Sequence, residues 1–231
     1  MIVGSGMMAR AFRTPITDRA DIVVHAAGVS NSQCRDPREF ERESRLLRKT
    51  INEAGAAECL VYFSTCSIAD SGSANTSYVL HKLAMEAQVR AHPRHLILRL
   101  PQVAGRTPNP HTLLNYLYAR IARGERFSIW NGARRNVIDC EDACAIVLRL
   151  IEADVRSETV NVASRHDHSV LEIVEKLERV VSGHAVYDIL DRGTAYAIDI
   201  ARIQPFLSAA GVSFDRDYLE RTVRKYYGPT S

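Results

Sequence analysis

The chain has 231 residues, 46% of them hydrophobic, and a formal net charge of +3 at pH 7. This length and apolar content suit one large domain with its own core, and so small a charge gives no reason to expect a nucleic-acid partner. No apolar run approaches the roughly 20 residues that cross a bilayer, and no signal-peptide pattern opens the chain. We therefore expect a cytoplasmic protein without a membrane partner. The five cysteines show no disulfide or zinc spacing, which predicts reduced thiols and no metal.

A glycine turn follows the first short apolar run, in IVGSGMMARAF. Gly4 and Gly6 predict a tight turn from a strand into a helix, and the free N–H groups of that helix can hold a phosphate. The alternative is a pair of turn glycines without a ligand. The next apolar run, IVVHAAG (22–28), follows so closely that only one helix fits between the two strands.

Strands and helices alternate along the rest of the chain. The predicted elements are a helix at 36–54, a strand at 59–65, a helix at 77–91, a strand at 95–101, a helix with Pro110 in its first turn and Gly124 as its cap, short strands in RNVID and TVNVA around a helix that starts near Asp142, a helix opened by a Ser169–Glu172 capping box, a strand in AVYDIL, and two closing helices. This alternation predicts an α/β fold with a parallel sheet covered by helices on both faces.

Tyr78 and Lys82 lie four residues apart on the helix predicted at 77–91, so their side chains project from one face. A lysine beside a tyrosine favours the phenolate, which makes the pair a candidate general acid and base. A solvated helix face is the alternative. Thr65 ends the preceding buried strand, where a hydroxyl can hold a substrate oxygen. Ser64 and Ser67 are alternatives, because a one-residue slip in a strand reverses the side chain.

The glycine turn, the strand-end hydroxyl and the YxxxK pair, in that order, resemble the short-chain dehydrogenase/reductase superfamily. HAAG (25–28), LRLPQVAGR (98–106) and RRNVIDCEDAC (134–144) resemble segments of its extended branch, the NAD-dependent epimerase/dehydratase family, which acts on sugar nucleotides. The resemblance implies a Rossmann-like, doubly wound parallel sheet. Residues 1–163 would form the dinucleotide-binding core, with 106–130 contributing to a substrate lobe, and residues 164–231 would form a small C-terminal substrate lobe.

The resemblance also implies roles for individual residues. Tyr78 would move a hydroxyl proton, Lys82 would hold the nicotinamide ribose and tune the tyrosine, and Thr65 would orient the substrate oxygen. NAD or NADP would be held by Gly4, Ser5, Gly6, Met7, Met8, His25, Ala26, Ala27, Gly28, Lys82, Pro101, Gln102 and Val103. A nucleotide-sugar substrate would be held by Ser64, Cys66, Ser67, Gln102 and Arg135.

The amino-terminal third departs from the family pattern. A dinucleotide fold places an acidic residue about 20 residues after the glycines, at the end of its second strand. Here the second and third strands of the family are expected to be missing, and Asp18 and Asp21 both precede the strand that leads into HAAG. We therefore predict weak dinucleotide binding with little selectivity, which Arg10 or Arg13 could tilt toward NADP.

A second departure lies after Thr65. Sugar-nucleotide dehydratases of the family carry an acidic pair there, whereas this chain has Cys66 and Ser67. The difference argues against dehydration and leaves an epimerase or a reductase acting on a nucleotide-sugar or related sugar. The alternative is a non-catalytic binding or scaffold protein of the same fold. The resemblance further implies a homodimer that packs the helices at 36–54 and 77–91 against their copies, with Leu46, Leu47, Leu83 and Met85 as apolar contacts.

Overall fold

The computed structural model describes residues 1–56 and 58–229. In chain order the elements are β1 (Ile2–Val3), α1 (Met7–Arg13), β2 (Ile22–His25), α2 (Pro37–Glu53), β3 (Cys59–Thr65), a 3-10 turn (Cys66–Ala69), α3 (Ser77–Val89), β4 (His95–Leu100), β5 (Gln102–Ala104), α4 (Leu113–Ala122), β6 (Phe127–Trp130), β7 (Arg134–Asp139), α5 (Cys140–Glu152), β8 (Glu158–Asn161), β9 (Asp167–Ser169), α6 (Val170–Val181), β10 (Tyr187–Leu190), a second 3-10 turn (Gln204–Phe206) and α7 (Tyr218–Tyr227).

The central sheet has five parallel strands in the order β1-β2-β3-β4-β8. This confirms the Rossmann-like prediction. Residues 14–21, between α1 and β2, form turns. β1 therefore pairs with β2 and lies at an edge of the sheet, as expected for a chain without the family's second and third strands.

Alternation along the strands places the helices on both faces of the sheet. Val24, Val61 and Leu98 face one layer, which contains α1 and α5. Val23, Leu60 and Ile97 face the other layer, which contains α2 and α3. Because successive strand residues point to opposite faces, nearly continuous apolar runs are what a sheet covered on both sides requires.

A second apolar cluster lies beside the sheet and joins α4, β6, β7, α6 and α7 around residues such as Leu114, Phe127 and Ile173. β10 pairs with β6, and β7 pairs with β5 and β9. The segment around Ile200 and Val212 packs on the main core instead. Within residues 1–56 and 58–229, no helix combines the length and the apolar content that a membrane span needs.

One expected helix start is wrong for a local reason. α4 begins after Thr112, so Pro110 lies outside its first turn. Asn109 Oδ1 accepts from His111 N at 2.9 Å, and this turn holds the chain out of the helix. α5 begins at Cys140, near Asp142 as expected, and the Asp139 carboxylate caps it through Glu141 N at 2.7 Å.

Within the described residues up to 229, one α-helix closes the chain, whereas two were expected. The first expected helix is only the 3-10 turn at Gln204–Phe206, and Gly211 at φ +69° ends the turns that follow it. The capping box of α6 forms as predicted, with Ser169 and Glu172 each satisfying the other's backbone N–H.

Candidate active site

The parallel register brings four strand ends to one edge of the sheet. Val3 pairs with His25, His25 with Tyr62, and Thr65 with Leu100. A cavity of about 270 Å³ lies beyond this edge, where ligands bind in open α/β sheets. Its lining includes Gly6, Met7, Met8, Ala26, Gly28, Ser64, Thr65, Ser67, Tyr78, Lys82, Pro101, Gln102 and Val103.

The first turn of α3 sets the orientation of the Tyr78–Lys82 pair. Thr76 caps the helix by accepting from Val79 N at 3.3 Å, which fixes where the helix starts. Both side chains then point inward, and Tyr78 and Lys82 are 7% and 2% exposed. A solvated face is therefore excluded for this pair.

Thr65 and Tyr78 meet at the cavity. Thr65 Oγ1 accepts from Ser67 N at 3.1 Å, which caps the first 3-10 turn and holds the threonine hydroxyl in place. The side chains of Thr65 and Tyr78 both line this cavity. The structure thus brings together the three residues expected to be catalytic.

The expectation that Lys82 lowers the pKa of Tyr78 is wrong for this arrangement. Burial raises the pKa of Tyr78, the nearby hydroxyl of Thr65 opposes that rise, and the negative charge of Glu43 adds to it. Lys82 Nζ donates to Glu43 Oε1 at 2.9 Å, so a carboxylate offsets its charge. The phenol is therefore the proton-bearing form in the ligand-free protein.

Glu43 is a site residue that sequence reasoning missed. It is fully buried, and it accepts from Val29 N, Tyr62 OH and His81 as well as from Lys82. A signal was present in the sequence, because Glu43 lies on the same face of α2 as Phe40 and Leu47. A carboxylate on the apolar face of a helix needs a buried partner.

The glycine turn has the shape of a phosphate cradle. Gly4 has φ +125°, and a Cβ there would lie 2.5 Å from Ala26 O, so only glycine fits. Gly6 is the N-cap of α1 without a side-chain cap, and a Cβ on Gly6 would meet nothing within 4 Å. The free N–H groups of the first turn and the open space above Gly6 fit a dinucleotide's pyrophosphate.

Few residues would contact the adenosine of a dinucleotide bound at this cradle, because β1 is an edge strand. Asp21 lies at the opposite end of the sheet from the cavity, where its carbonyl accepts from Cys59 N at 2.7 Å and its carboxylate pairs with Arg19 at 2.8 Å. Among the described residues 1–28, no acid follows the glycines at a strand end beside the cradle. Arg10 is engaged by the carbonyls of Ser5 and Arg106.

Three of the residues expected to bind substrate are already bonded within the protein. Ser64 lines the cavity, yet its hydroxyl donates to Glu86 Oε1 at 2.7 Å. Cys66 Sγ contacts Arg99 O at 3.2 Å, and burial raises the pKa of its thiol to about 12. Arg135 Nη1 donates to Arg134 O. In the described chain the cavity lining leaves out Cys66 and Arg135, together with Gly4, Ser5, His25 and Ala27.

His25 belongs to the layer beneath the cavity. Thr50 Oγ1 gives its proton to Leu46 O, so the 3.0 Å contact with His25 Nδ1 requires the histidine to donate. Burial lowers the pKa of His25 to about 4. The ring is therefore neutral near pH 7 and anchors β2 to α2.

The polar rim of the cavity was not anticipated. It comes from the loop after β2 and the loop after β5, which carry Ser30, Ser32, Thr107, Asn109 and His111. Asn109 Nδ2 donates to Ser30 Oγ at 2.9 Å and so joins the two loops. Both loops follow strands that end at this edge, which is the signal that could have identified them.

A sequence profile of the NAD dependent epimerase/dehydratase family matches residues 6–163. The chain belongs to this family. The match begins at Gly6, the last residue of the glycine turn, and includes the Tyr78–Lys82 helix and the ends of β2, β3 and β4. A comparison with curated protein sequences finds no match for this family member.

Solved structures share the fold of this family member at low identity. MoeE5, in complex with UDP-glucose and NAD, has a TM-score of 0.73 at 16% identity over 97% of each chain. UDP-glucuronic acid 4-epimerase from Bacillus cereus, in complex with UDP-glucuronic acid and NAD, has a TM-score of 0.71 at 18% identity, over 94% of this chain and 76% of that one. RMD from Pseudomonas aeruginosa, complexed with NADPH, has a TM-score of 0.68 at 19% identity, over 90% and 81%.

Proposed function

We propose that this family member is an NAD(P)-dependent epimerase or reductase that acts on a nucleotide-sugar or related sugar. One observation carries the proposal. Tyr78 lines the cavity at the strand ends together with Thr65, and Lys82 lies one helical turn further along the same buried face. A buried phenol beside an open cavity is suited to exchanging a proton with a substrate oxygen.

Each residue of the site would have a separate role in this reaction. A nicotinamide dinucleotide, when bound, supplies the group that accepts or returns a hydride. Gly6 and the first turn of α1 would hold its pyrophosphate, while Lys82 would hold the nicotinamide ribose. Tyr78 would take the proton from the sugar hydroxyl during oxidation and return it during reduction, and Thr65 would orient that oxygen.

The nucleotide-sugar assignment rests on two kinds of support. MoeE5 and the Bacillus cereus epimerase share the fold and were solved with UDP-linked sugars. In this chain, Gln102 and Ser67 line the cavity and are proposed to hold the sugar, and Arg135 is proposed for the diphosphate. Cys66 and Ser67 stand in place of an acidic pair, which favours epimerisation or reduction over dehydration.

The function is tested by incubating the protein with UDP- and dTDP-linked sugars together with each nicotinamide cofactor. An epimerase would give a second sugar signal by NMR with no net change in reduced cofactor. A reductase would consume reduced cofactor in proportion to product. Absence of both reactions, with a cofactor shown to be bound, would contradict the proposal.

Cofactor affinity is expected to be low. Each lost charge-assisted hydrogen bond to a ribose hydroxyl is worth about 1.5–3 kcal/mol, so losing two of them corresponds to about 10²–10⁴-fold weaker binding. Calorimetry with NAD+, NADH, NADP+ and NADPH separately should show weak binding and little preference between NAD and NADP. A sub-micromolar dissociation constant for NAD+ with strong rejection of NADP+ would contradict this prediction.

The second candidate function is a binding or scaffold protein that kept the sheet and lost turnover. The edge position of β1 favours it, because the adenosine side of the cradle is left without the family's second and third strands. The same calorimetry separates the two candidates, since a scaffold would bind none of the four dinucleotides at millimolar concentration.

We also propose a homodimer through α2 and α3. The apolar residues first considered for this contact need correction, because Leu47 and Met85 are buried in the core. Leu80 and Leu83 remain exposed on α3, at 53% and 38%, and Leu46 is half-buried on α2. An isologous contact between these helices and their copies would cover them.

Sedimentation should give twice the chain mass at micromolar concentration. Leu80→Arg with Leu83→Arg should give a monomer, because two buried charges would face their own copies across the symmetry axis. Trp130→Ser is the matched control, as Trp130 is similarly exposed, at 43%, and lies outside α2 and α3. A monomer at high micromolar concentration in the unmodified protein would rule out the dimer.

A further inference from the structure

Glu43 makes more contacts than a salt-bridge partner of Lys82 needs. Its Oε1 accepts from Lys82 Nζ at 2.9 Å and from Tyr62 OH at 2.7 Å. Its Oε2 accepts from Val29 N at 2.7 Å and lies 2.9 Å from His81 Nε2. Four groups from three segments of the chain, the loop after β2, β3 and α3, thus converge on one fully buried carboxylate, which holds it in a single position.

The neighbouring backbone is shaped around this ion pair. A Cβ on Gly28 would lie 2.7 Å from both Glu43 Oε1 and Lys82 Nζ. Lys82 Nζ also contacts Tyr62 OH at 3.3 Å and lies 5.9 Å from the centre of the Tyr78 ring. The lysine charge is therefore held between the carboxylate and the catalytic tyrosine.

Charged and titratable groups reach Tyr78 from several elements. Glu43 comes from α2, Lys82 from α3 itself, Tyr62 from β3, Cys66 from the 3-10 turn and Tyr196 from the C-terminal segment. Burial raises the pKa of Cys66 to about 12, and that of Tyr62 is raised by burial and by Glu43. Burial lowers the pKa of Lys82, and its contact with Glu43 opposes that fall. Glu43 and Lys82 therefore face Tyr78 as a hydrogen-bonded pair.

We propose that Glu43 is a positioning residue that fixes Lys82 at the floor of the cavity and offsets its charge, so that Tyr78 begins the reaction as a proton donor. The chemical consequence is that the ligand-free site favours one direction of the proposed reaction. The ligand-free site is prepared to protonate a carbonyl oxygen, which is the reductive half of the chemistry. This inference rests on the proposed function for its catalytic meaning, but its physical content concerns the ligand-free protein.

The test is the titration of Tyr78 in Glu43→Gln, which keeps the shape of the side chain and removes its charge. Tyrosinate absorbance is recorded against pH without substrate or cofactor, and the Tyr78 signal is the difference from the matching Tyr78→Phe protein. With the Lys82 charge no longer offset, the acid dissociation constant of Tyr78 should rise about tenfold or more. An unchanged titration would overturn the proposal.

Glu86→Gln is the matched control. Glu86 is also a fully buried carboxylate and lies on α3, but it bonds Arg99, Arg90 and Ser64. It should leave the Tyr78 titration unchanged. An equal shift in Glu86→Gln would show a general effect of removing buried charge and would also overturn the proposal.

Two further measurements keep the inference testable if Glu43→Gln does not fold. Nitrogen-15 NMR of lysine in the unmodified protein should show Lys82 charged at pH 7, and a neutral Lys82 would contradict the offset. Glu43→Asp, which keeps a carboxylate, should leave the Tyr78 titration close to that of the unmodified protein, and an acid dissociation constant raised about tenfold would count against the proposal.

Failure of the inference and failure of the proposed function are distinguishable, because the titration needs no turnover. A shifted Tyr78 titration without activity on any sugar nucleotide would contradict the proposed function and support the role of Glu43. Activity with an unshifted titration would do the reverse. Where activity is found, Glu43→Gln should move the alkaline limb of the kcat/KM profile for carbonyl reduction to lower pH, in parallel with the titration.

Discussion

Replacing Tyr78 with phenylalanine should lower turnover by at least about 10²–10⁴-fold, the range that general acid/base catalysis supplies. The ring is buried against Val29 and Val79, and phenylalanine keeps that packing. Only the hydroxyl at the cavity is lost. The expected result is therefore a folded protein with nearly unchanged dinucleotide binding and no proton transfer, checked by single-turnover kinetics and calorimetry.

Tyr218→Phe is the matched control for this loss. Its hydroxyl is also buried and donates to Asp142 Oδ2 at 2.7 Å, but it lies between α5 and α7, outside the cavity lining. Stability should fall while turnover per folded molecule persists. Thr65→Ala should lower the rate more than the affinity, because its hydroxyl orients the substrate oxygen. A Tyr78→Phe protein as active as the unmodified one on a confirmed substrate would refute the mechanism.

Lys82→Met should destabilise the fold by about 3–5 kcal/mol, a large effect for one residue. The lysine is the full positive charge beside a carboxylate that is itself fully buried. Removing it leaves that negative charge in the interior with only Tyr62, His81 and Val29 N to satisfy it. Urea unfolding of the ligand-free protein at pH 7 measures the free energy of unfolding directly.

Lys49→Met is the matched control, because Lys49 pairs with Glu53 on the solvent-exposed face of α2 at 3.7 Å. Such a pair is worth about 1 kcal/mol or less. Adding Glu43→Gln to Lys82→Met should recover part of the lost stability, since the buried charge is then gone. A Lys82→Met protein within 1 kcal/mol of the unmodified one, taking that as about the limit for exposed pairs, would show that Glu43 is satisfied without its lysine.

Much of the fold follows from local pattern. The strand predicted at 59–65 is observed as Cys59–Thr65. An apolar run of this length, ended by hydroxyls, is typical of a strand that is buried on both faces of a covered sheet. The edge position of β1 follows from the short interval between Gly4 and His25. Boundaries were wrong where a turn competed with a helix, as at Asn109 before α4.

The candidate site was only partly accessible to such reasoning. Tyr78 and Lys82 share a helix face by spacing alone, and Thr65 reaches them because parallel strands end at one edge. The effect of Lys82 on the pKa of Tyr78 depends on Glu43, which lies on another helix, α2. The four-residue spacing of Tyr78 and Lys82 is the same whether or not a carboxylate binds the lysine.

The amino-acid sequence by itself determined the sheet, its missing strands, and the Tyr78–Lys82 face, because each depends on neighbours a few residues apart or on the length of one connection. The tertiary structure alone decided that Glu43 and Lys82, which are 39 residues apart, form a buried ion pair. It also decided that Ser64 is bonded to Glu86 and that the loops around Ser30 and Asn109 close the rim. The physical reason is that local periodicity says which face of a helix is buried, whereas packing between elements decides what that face meets.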